Sequence, residues 1–294
     1  MILKRACSAS LLLLLAQNAE AFTFNFDYTS TYDTNGFFSD ATYGADRIRL
    51  LEAAGDYFEG IIQDSFTAID SDPSGVNHFN AIFDNPGTGA STTLSDFDVA
   101  VDTFTVFVGA RDLGESTLGQ AGPGGYSAGG YQTFLDNAVT RGQGDGTQSS
   151  VIGALAYDFS TWGGTLAFDS DASWYYDPNV SDSSTPGITA GQSDFYSVAL
   201  HELGHILGLG TADSWNNLSS TGLFLGTEVT AANGGTSPAV NGNKDHFVEG
   251  TSGSIDGSPQ EVAMDPSITT GTQKKFTNID VAALADIGYQ VTPN

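Results

Sequence analysis

The stretch from Phe195 to Thr211 constrains the fold more than any other: an apolar helix must carry two imidazoles and then stop abruptly. Phe195, Val198, Ala199, Leu200, Leu203 and Ile206 supply the apolar positions. His201 and His205 are four residues apart, so on a helix they project from one face, one turn above the other. Two neutral imidazoles so placed can close on a single Zn²⁺ at roughly 2.0–2.1 Å each. Glu202 follows the first histidine, beside such a metal rather than on it, where its carboxylate can act as general base toward an activated water. Gly208 and Gly210 then break the helix within a turn of His205, which sets the pair at a helix end and lets the chain swing round with another ligand. The plainer reading is a core helix that happens to hold two histidines. With four histidines in 294 residues, the i, i+4 pair with Glu between them favours the metal reading.

A catalytic zinc takes three protein ligands and keeps one position open. His246 and His78 are the remaining histidines. His246 is the favoured third ligand, because the irregular segment after Gly210 can fold back beneath the metal. His78, in an Asn-rich turn far upstream, reads as a surface residue. Carboxylates at Asp213, Glu228, Glu249 or Glu261 remain alternatives, and Glu249, three residues from His246, could instead hydrogen-bond behind it.

The first 21 residues read as a signal peptide: Lys4 and Arg5, the run Leu11–Leu15, then Ala19-Glu20-Ala21 before Phe22. Residues 22–294 then form one catalytic domain, secreted and extracellular. No stretch approaches the roughly 18–20 apolar residues of a membrane span. With 35 acidic and 9 basic side chains the formal charge is −26, which excludes nucleic acid and anionic lipid as partners. The sole cysteine, Cys7, leaves with the signal, so no disulfide holds the fold. The acidic run holding Asp169, Asp171, Asp177 and Asp182 makes structural Ca²⁺ a second cofactor expectation, weighed against a solvated acidic loop. Oligomeric state is not legible.

Alternation predicts strands at Phe22–Tyr28 and Thr103–Val108, with two more at Val151–Tyr157 and Thr165–Phe168. A 3.6-residue period predicts helices over Asp46–Phe66, Tyr131–Arg141 and Asn278–Asp286, and Ser193 or Asp194 can cap the motif helix. Gly119–Gly130 reads as a surface loop, since it lacks a phosphate-loop ending. Beyond Gly210 lie about 65 residues with little periodicity. The order suggests an α+β body with a cleft between a regular and an irregular part.

Taken together, His201-Glu202-Leu203-Gly204-His205-Ile206-Leu207-Gly208, Met264 in Val262–Pro266, the closing helix and Trp162–Asp171 resemble the metzincin clan of zinc endopeptidases. The body is matrixin-like. A compact metzincin motif would put its third ligand at Thr211, whose hydroxyl is a poor one; a remote third histidine is closer to the leishmanolysin-like arrangement. The Leu-Gly-x-Gly-Thr continuation is similar to secreted bacterial metalloproteases. The resemblance implies a twisted, mostly parallel sheet with an antiparallel edge strand and two long helices above the zinc cleft. Below it come an irregular subdomain with a Met-turn at Met264 and a C-terminal helix. It also implies that Thr165, Leu166, Ala167 and Phe168 are the edge strand on which a peptide pairs. The function expected is hydrolysis of peptide bonds in a protein or peptide substrate. Its rivals are an inactive zinc-containing binding protein and a zinc hydrolase of a non-peptide substrate.

Overall fold

The computed structural model describes residues 22–143, 161–181 and 185–292. The strand expected at Val151–Tyr157 lies outside them. In chain order the elements are β1 (Thr23–Asp27), α1 (Gly44–Ile61), β2 (His78–Asp84), β3 (Ser91–Leu94), β4 (Thr103–Arg111), β5 (Gly119–Pro123), β6 (Gly125–Gly129) and α2 (Gln132–Thr140). Then follow β7 (Gly163–Asp169), β8 (Trp174–Tyr175), β9 (Ser193–Asp194), α3 (Phe195–Ile206), α4 (Asp213–Ser219), α5 (Thr227–Ala232), β10 (Ser252–Ile255), β11 (Ser258–Glu261) and α6 (Asn278–Ile287).

The main sheet runs β1-β4-β7-β5, with β1, β4 and β7 parallel and β5 antiparallel. The expected mostly parallel sheet with an antiparallel outer strand is therefore present. The edge is β5, however, not Thr165–Phe168. Those four residues lie in β7, paired on one side with β4 and on the other with β5. Reading Gly119–Gly130 as a loop hid the strand that covers them. That segment forms β5 and β6, and its glycines carry no side chains to display a two-residue period.

Both faces of the sheet are covered. Phe24, Phe104, Val106, Val108, Leu166 and Phe168 point toward α1 and α3 and join the larger core. Phe107 points the other way, into a smaller core with Tyr32, Phe79, Phe83, Phe134 and Trp162 under the sheet β3-β2-β6. Each such side chain contributes about 1.5–3 kcal/mol of burial. This two-sided demand explains why β4 is buried along nearly its whole length instead of alternating.

Helix α1 begins at Gly44, just ahead of the expected Asp46, and stops at Ile61, short of Phe66. Beyond it the backbone is extended and joins the chain end: the Gln63 amide donates to the Gln290 carbonyl, and Thr292 to Ile61. Helix α2 ends at Arg141, which adopts a left-handed φ of 45°. The fully buried guanidinium donates to the carbonyls of Thr67, Ala100, Thr103 and Thr161, tying the start of β4 to three neighbouring loop segments. Burial lowers its pKa to about 10, against the pull of Asp102.

The irregular part holds more structure than its sequence suggests. Trp215 of α4 packs on Phe224 and Phe247, with centroids 4.6 and 5.3 Å away, and anchors a segment without periodicity. Among the described residues no helix is long and apolar enough to cross a membrane.

Candidate metal centre and active site

Helix α3 is pinned at its start. Asp194 accepts from the Ser197 amide at 2.9 Å and the Ser197 hydroxyl at 2.6 Å, the expected N-cap. Its apolar stripe packs against α1, β5 and β7, and Phe195 stacks on Phe168 at 4.3 Å. With that face committed to the core, His201 and His205 turn toward the cleft.

The turn after α3 brings the third histidine in. Gly210, at φ +74°, comes so close to the chain before His246 that a Cβ there would lie 2.0 Å from the Asp245 carbonyl oxygen. Only glycine allows that approach. Thr211 donates its hydroxyl to the His205 carbonyl at 2.7 Å, closing the helix end rather than ligating. The chain on either side of His246 is anchored: Phe247 packs on Trp215 and Phe224, and the Trp215 indole donates to the Lys244 carbonyl at 2.6 Å.

The three Nε2 atoms converge: His201 to His205 is 3.0 Å, and each of them is 3.1 Å from His246. Every Nδ1 is already engaged. His201 meets the Ala263 carbonyl at 2.7 Å, His205 the Leu209 carbonyl at 2.8 Å and His246 the Asp245 carboxylate at 2.8 Å. These oxygens only accept, so each Nδ1 carries the proton and each Nε2 presents a bare lone pair. Three lone pairs facing one another across about 3 Å repel unless a cation lies between them. Zinc bound tetrahedrally at about 2.0–2.1 Å separates its ligand nitrogens by roughly 3.3 Å, close to the spacings observed. The donor set fits zinc. Burial, then the neighbouring imidazoles, hold His201 well below its ordinary pKa, and burial with His246 lowers His205 to about 4. Both disfavour protonation and keep the lone pairs available.

Glu202 lines the same cleft, of about 380 Å³, with the three histidines and the stretch Ser116–Ala121. It is 5% exposed. Burial pushes its carboxyl up to about 8, and a hydrogen bond from the Ala121 amide pulls the other way. Met264 is buried beneath α3, its sulfur only 2.7 Å from where a Cβ on Gly204 would stand. The Ala263 and Met264 amides both donate to Asp280 of α6 at 3.0 Å. The carbonyl that orients His201 is thereby fixed from the closing helix, a link no local spacing reveals.

Other candidates fall elsewhere. His78 pairs with Asp96 at 2.6 Å. Glu249 accepts from Ser267, and Asp245 takes the place expected of it behind His246. Glu261 pairs with Lys274 at 2.7 Å, and Glu228 lies on α5. Asp213 opens α4. Asp169 accepts the Leu113 and Asp171 amides, and Asp177 accepts from Asn179 and Gln273. Asp182 lies outside the described residues. In the cluster Glu249, Glu261 and Asp265, the last two pair with the Lys274 ammonium at 2.7 and 2.6 Å.

A family model described as matrixin matches residues 137–219, across α3. Metalloendoproteinase 1-MMP of Arabidopsis thaliana is 40% identical over 68 residues, which cover 23% of this chain and 17% of that relative's length. No solved structure gives a match. Both matches are local, so what they show is that the stretch around α3 is similar to matrixin-type zinc metallopeptidases.

Proposed function

We propose that the chain is a secreted zinc-dependent endopeptidase in which His201, His205 and His246 hold the metal and Glu202 is the general base. The observation carrying this reading is the convergence of three proton-free Nε2 atoms in a cleft that also holds a buried carboxylate. Bound there, zinc would supply Lewis acidity toward a water and a scissile carbonyl, and a positive charge favouring ionised Glu202. Glu202 takes the proton of the attacking water and passes it to the departing amine. Asp245, Leu209 and Ala263 keep the imidazoles in the tautomer that binds metal.

An extended substrate would pair with the edge strand β5 rather than with Thr165–Phe168, whose backbone is already paired on both sides. Along β5 the residues 118, 120, 122 and 124 turn toward β7, as the Leu118 and Gly124 bonds mark, so 119, 121 and 123 face outward. Pro123, without an N–H, sits at an outward position, where an edge tolerates it. Met264 would serve as the Met-turn beneath the metal. The N-terminal charged–apolar–small pattern supports secretion.

A structural zinc site would hold four protein ligands. Among the described residues the cluster contains three histidines and no fourth His, Cys, Asp or Glu. That favours the enzyme over an inactive zinc protein. The test is a fluorescent casein assay with chelator and with Glu202→Gln. Chelation should abolish cleavage, and the variant should retain one zinc while losing at least about 100-fold in rate. A Glu202→Gln protein that cleaves normally would overturn the assignment.

A further inference from the structure

The outward edge of β5 does not face open solvent along its whole length, because Glu202 lies against it. Gly119 and Ala121 are two residues apart and both turn their backbone away from β7. The Ala121 amide turns toward the Glu202 side of the strand and favours the ionised carboxylate, against the effect of burial. At Gly119 an added Cβ would stand 2.5 Å from Glu202 Oε1, 2.7 Å from its Cγ and 2.8 Å from its Cδ. Real contacts of that kind do not occur, so one of the two must shift. With its backbone locked in α3, Glu202 can yield only by swinging its carboxylate into the cleft, away from β5. The strand cannot retreat, since β7 holds its other side.

We infer that Gly119 is a positioning residue for the general base: its missing side chain lets the edge strand close on Glu202 and present the Ala121 amide that aims the carboxylate. This rests on the peptidase reading for its catalytic consequence, but not for its geometry. A Cβ added to Gly122 on the same strand would meet no atom within 4 Å, so closeness is not a general property of the strand's glycines. It is confined to the residue opposite Glu202.

The test is Gly119→Ala, read in two independent ways. The first is hydrogen exchange at the Ala121 amide, which needs no catalysis. Exchange should accelerate about tenfold or more in the variant, to the rate seen in Glu202→Ala, because the carboxylate no longer accepts that proton. The second is steady-state cleavage with zinc content measured alongside. Zinc should remain stoichiometric and KM nearly constant, while kcat falls on the order of 10- to 100-fold, as a displacement near 1 Å predicts. In a Glu202→Asp background, whose shorter side chain vacates the contested space, the same Gly119→Ala change should cost less than about threefold.

Unchanged Ala121 exchange, or an equal loss of kcat in both backgrounds, would overturn the inference. A wild-type protein with no chelator-sensitive cleavage would instead sink the peptidase reading, leaving the exchange measurement to decide the role of Gly119.

Discussion

At the residue scale, the histidines and Glu202 were legible because their chemistry depends on spacing along one helix. His246 was legible only by elimination among four histidines. The partners that fix the tautomers were not, since two of the three are backbone carbonyls, which any residue could provide. Asp64 is a further buried group that the sequence does not announce. It is 3% exposed, accepts the Gln290 amide with one oxygen and leaves the other without a partner among the described residues. Burial raises its pKa from 3.8 to about 6, and the Gln290 bond only partly opposes this. The folded state thus holds the proton more tightly than the unfolded chain. Asp64 contributes stability that is fully present below about pH 4 and is lost as the pH rises through 6. Asp64→Asn keeps an oxygen for Gln290 and carries no charge. It should raise stability at pH 7.5 by about 1–2 kcal/mol, some 2–4 °C in melting temperature, and give no gain at pH 4. Melting curves at the two pH values check this; an equal change at both would assign the effect to something other than ionisation.

At the scale of elements, α1, α3 and α6 could be read from their apolar period, and β4 from its alternating start. The edge strand could not. A run such as Gly119-Gln120-Ala121-Gly122-Pro123 contains no periodic side chains, and its strand character comes from pairing with β7, a partner some 45 residues away. The same holds for the tie between α6 and the Met264 segment. Asp280, fully buried, accepts from the amides of Thr277, Ala263 and Met264 and from the Thr277 hydroxyl. It therefore caps α6 and holds the loop whose carbonyl orients His201. Asp280→Asn would turn an amide N–H₂ toward backbone N–H groups and leave buried donors unpaired. We expect a loss of about 2–4 kcal/mol in stability, and roughly tenfold weaker zinc affinity through the loosened Ala263 carbonyl. Competition against a chelating dye measures the second effect. A variant that is destabilised yet binds zinc with unchanged affinity would show that α6 supports the fold without supporting the metal.

At the scale of the whole molecule, charge is the dominant unspent feature of the composition. The formal −26 includes two cations and one anion in the segment before Phe22, so the remainder is at least as acidic. Its cations are few, and most of those described are at least partly buried. Arg141 and Lys274 are buried, and Arg47 lies 3.6 Å over the Phe37 ring and donates to Tyr176. Little positive charge remains to offset exposed carboxylates such as Asp70, Asp72, Asp112, Glu115 and Asp256. Folding draws these like charges together, and their repulsion opposes the compact state. Salt should relieve it. The Debye length falls from about 14 Å at 50 mM to roughly 5–6 Å at 0.3 M, so most of the screening is complete by then. The melting temperature should rise by several degrees over that interval and then flatten in NaCl. Strengthened apolar burial alone would instead give a gain that keeps growing in proportion to concentration, most steeply in sulfate. A curve that saturates near 0.3 M therefore identifies charge repulsion as the opposing term. A melting temperature that stays flat from 50 mM upward would mean that the acidic surface is dispersed widely enough to cost the fold nothing.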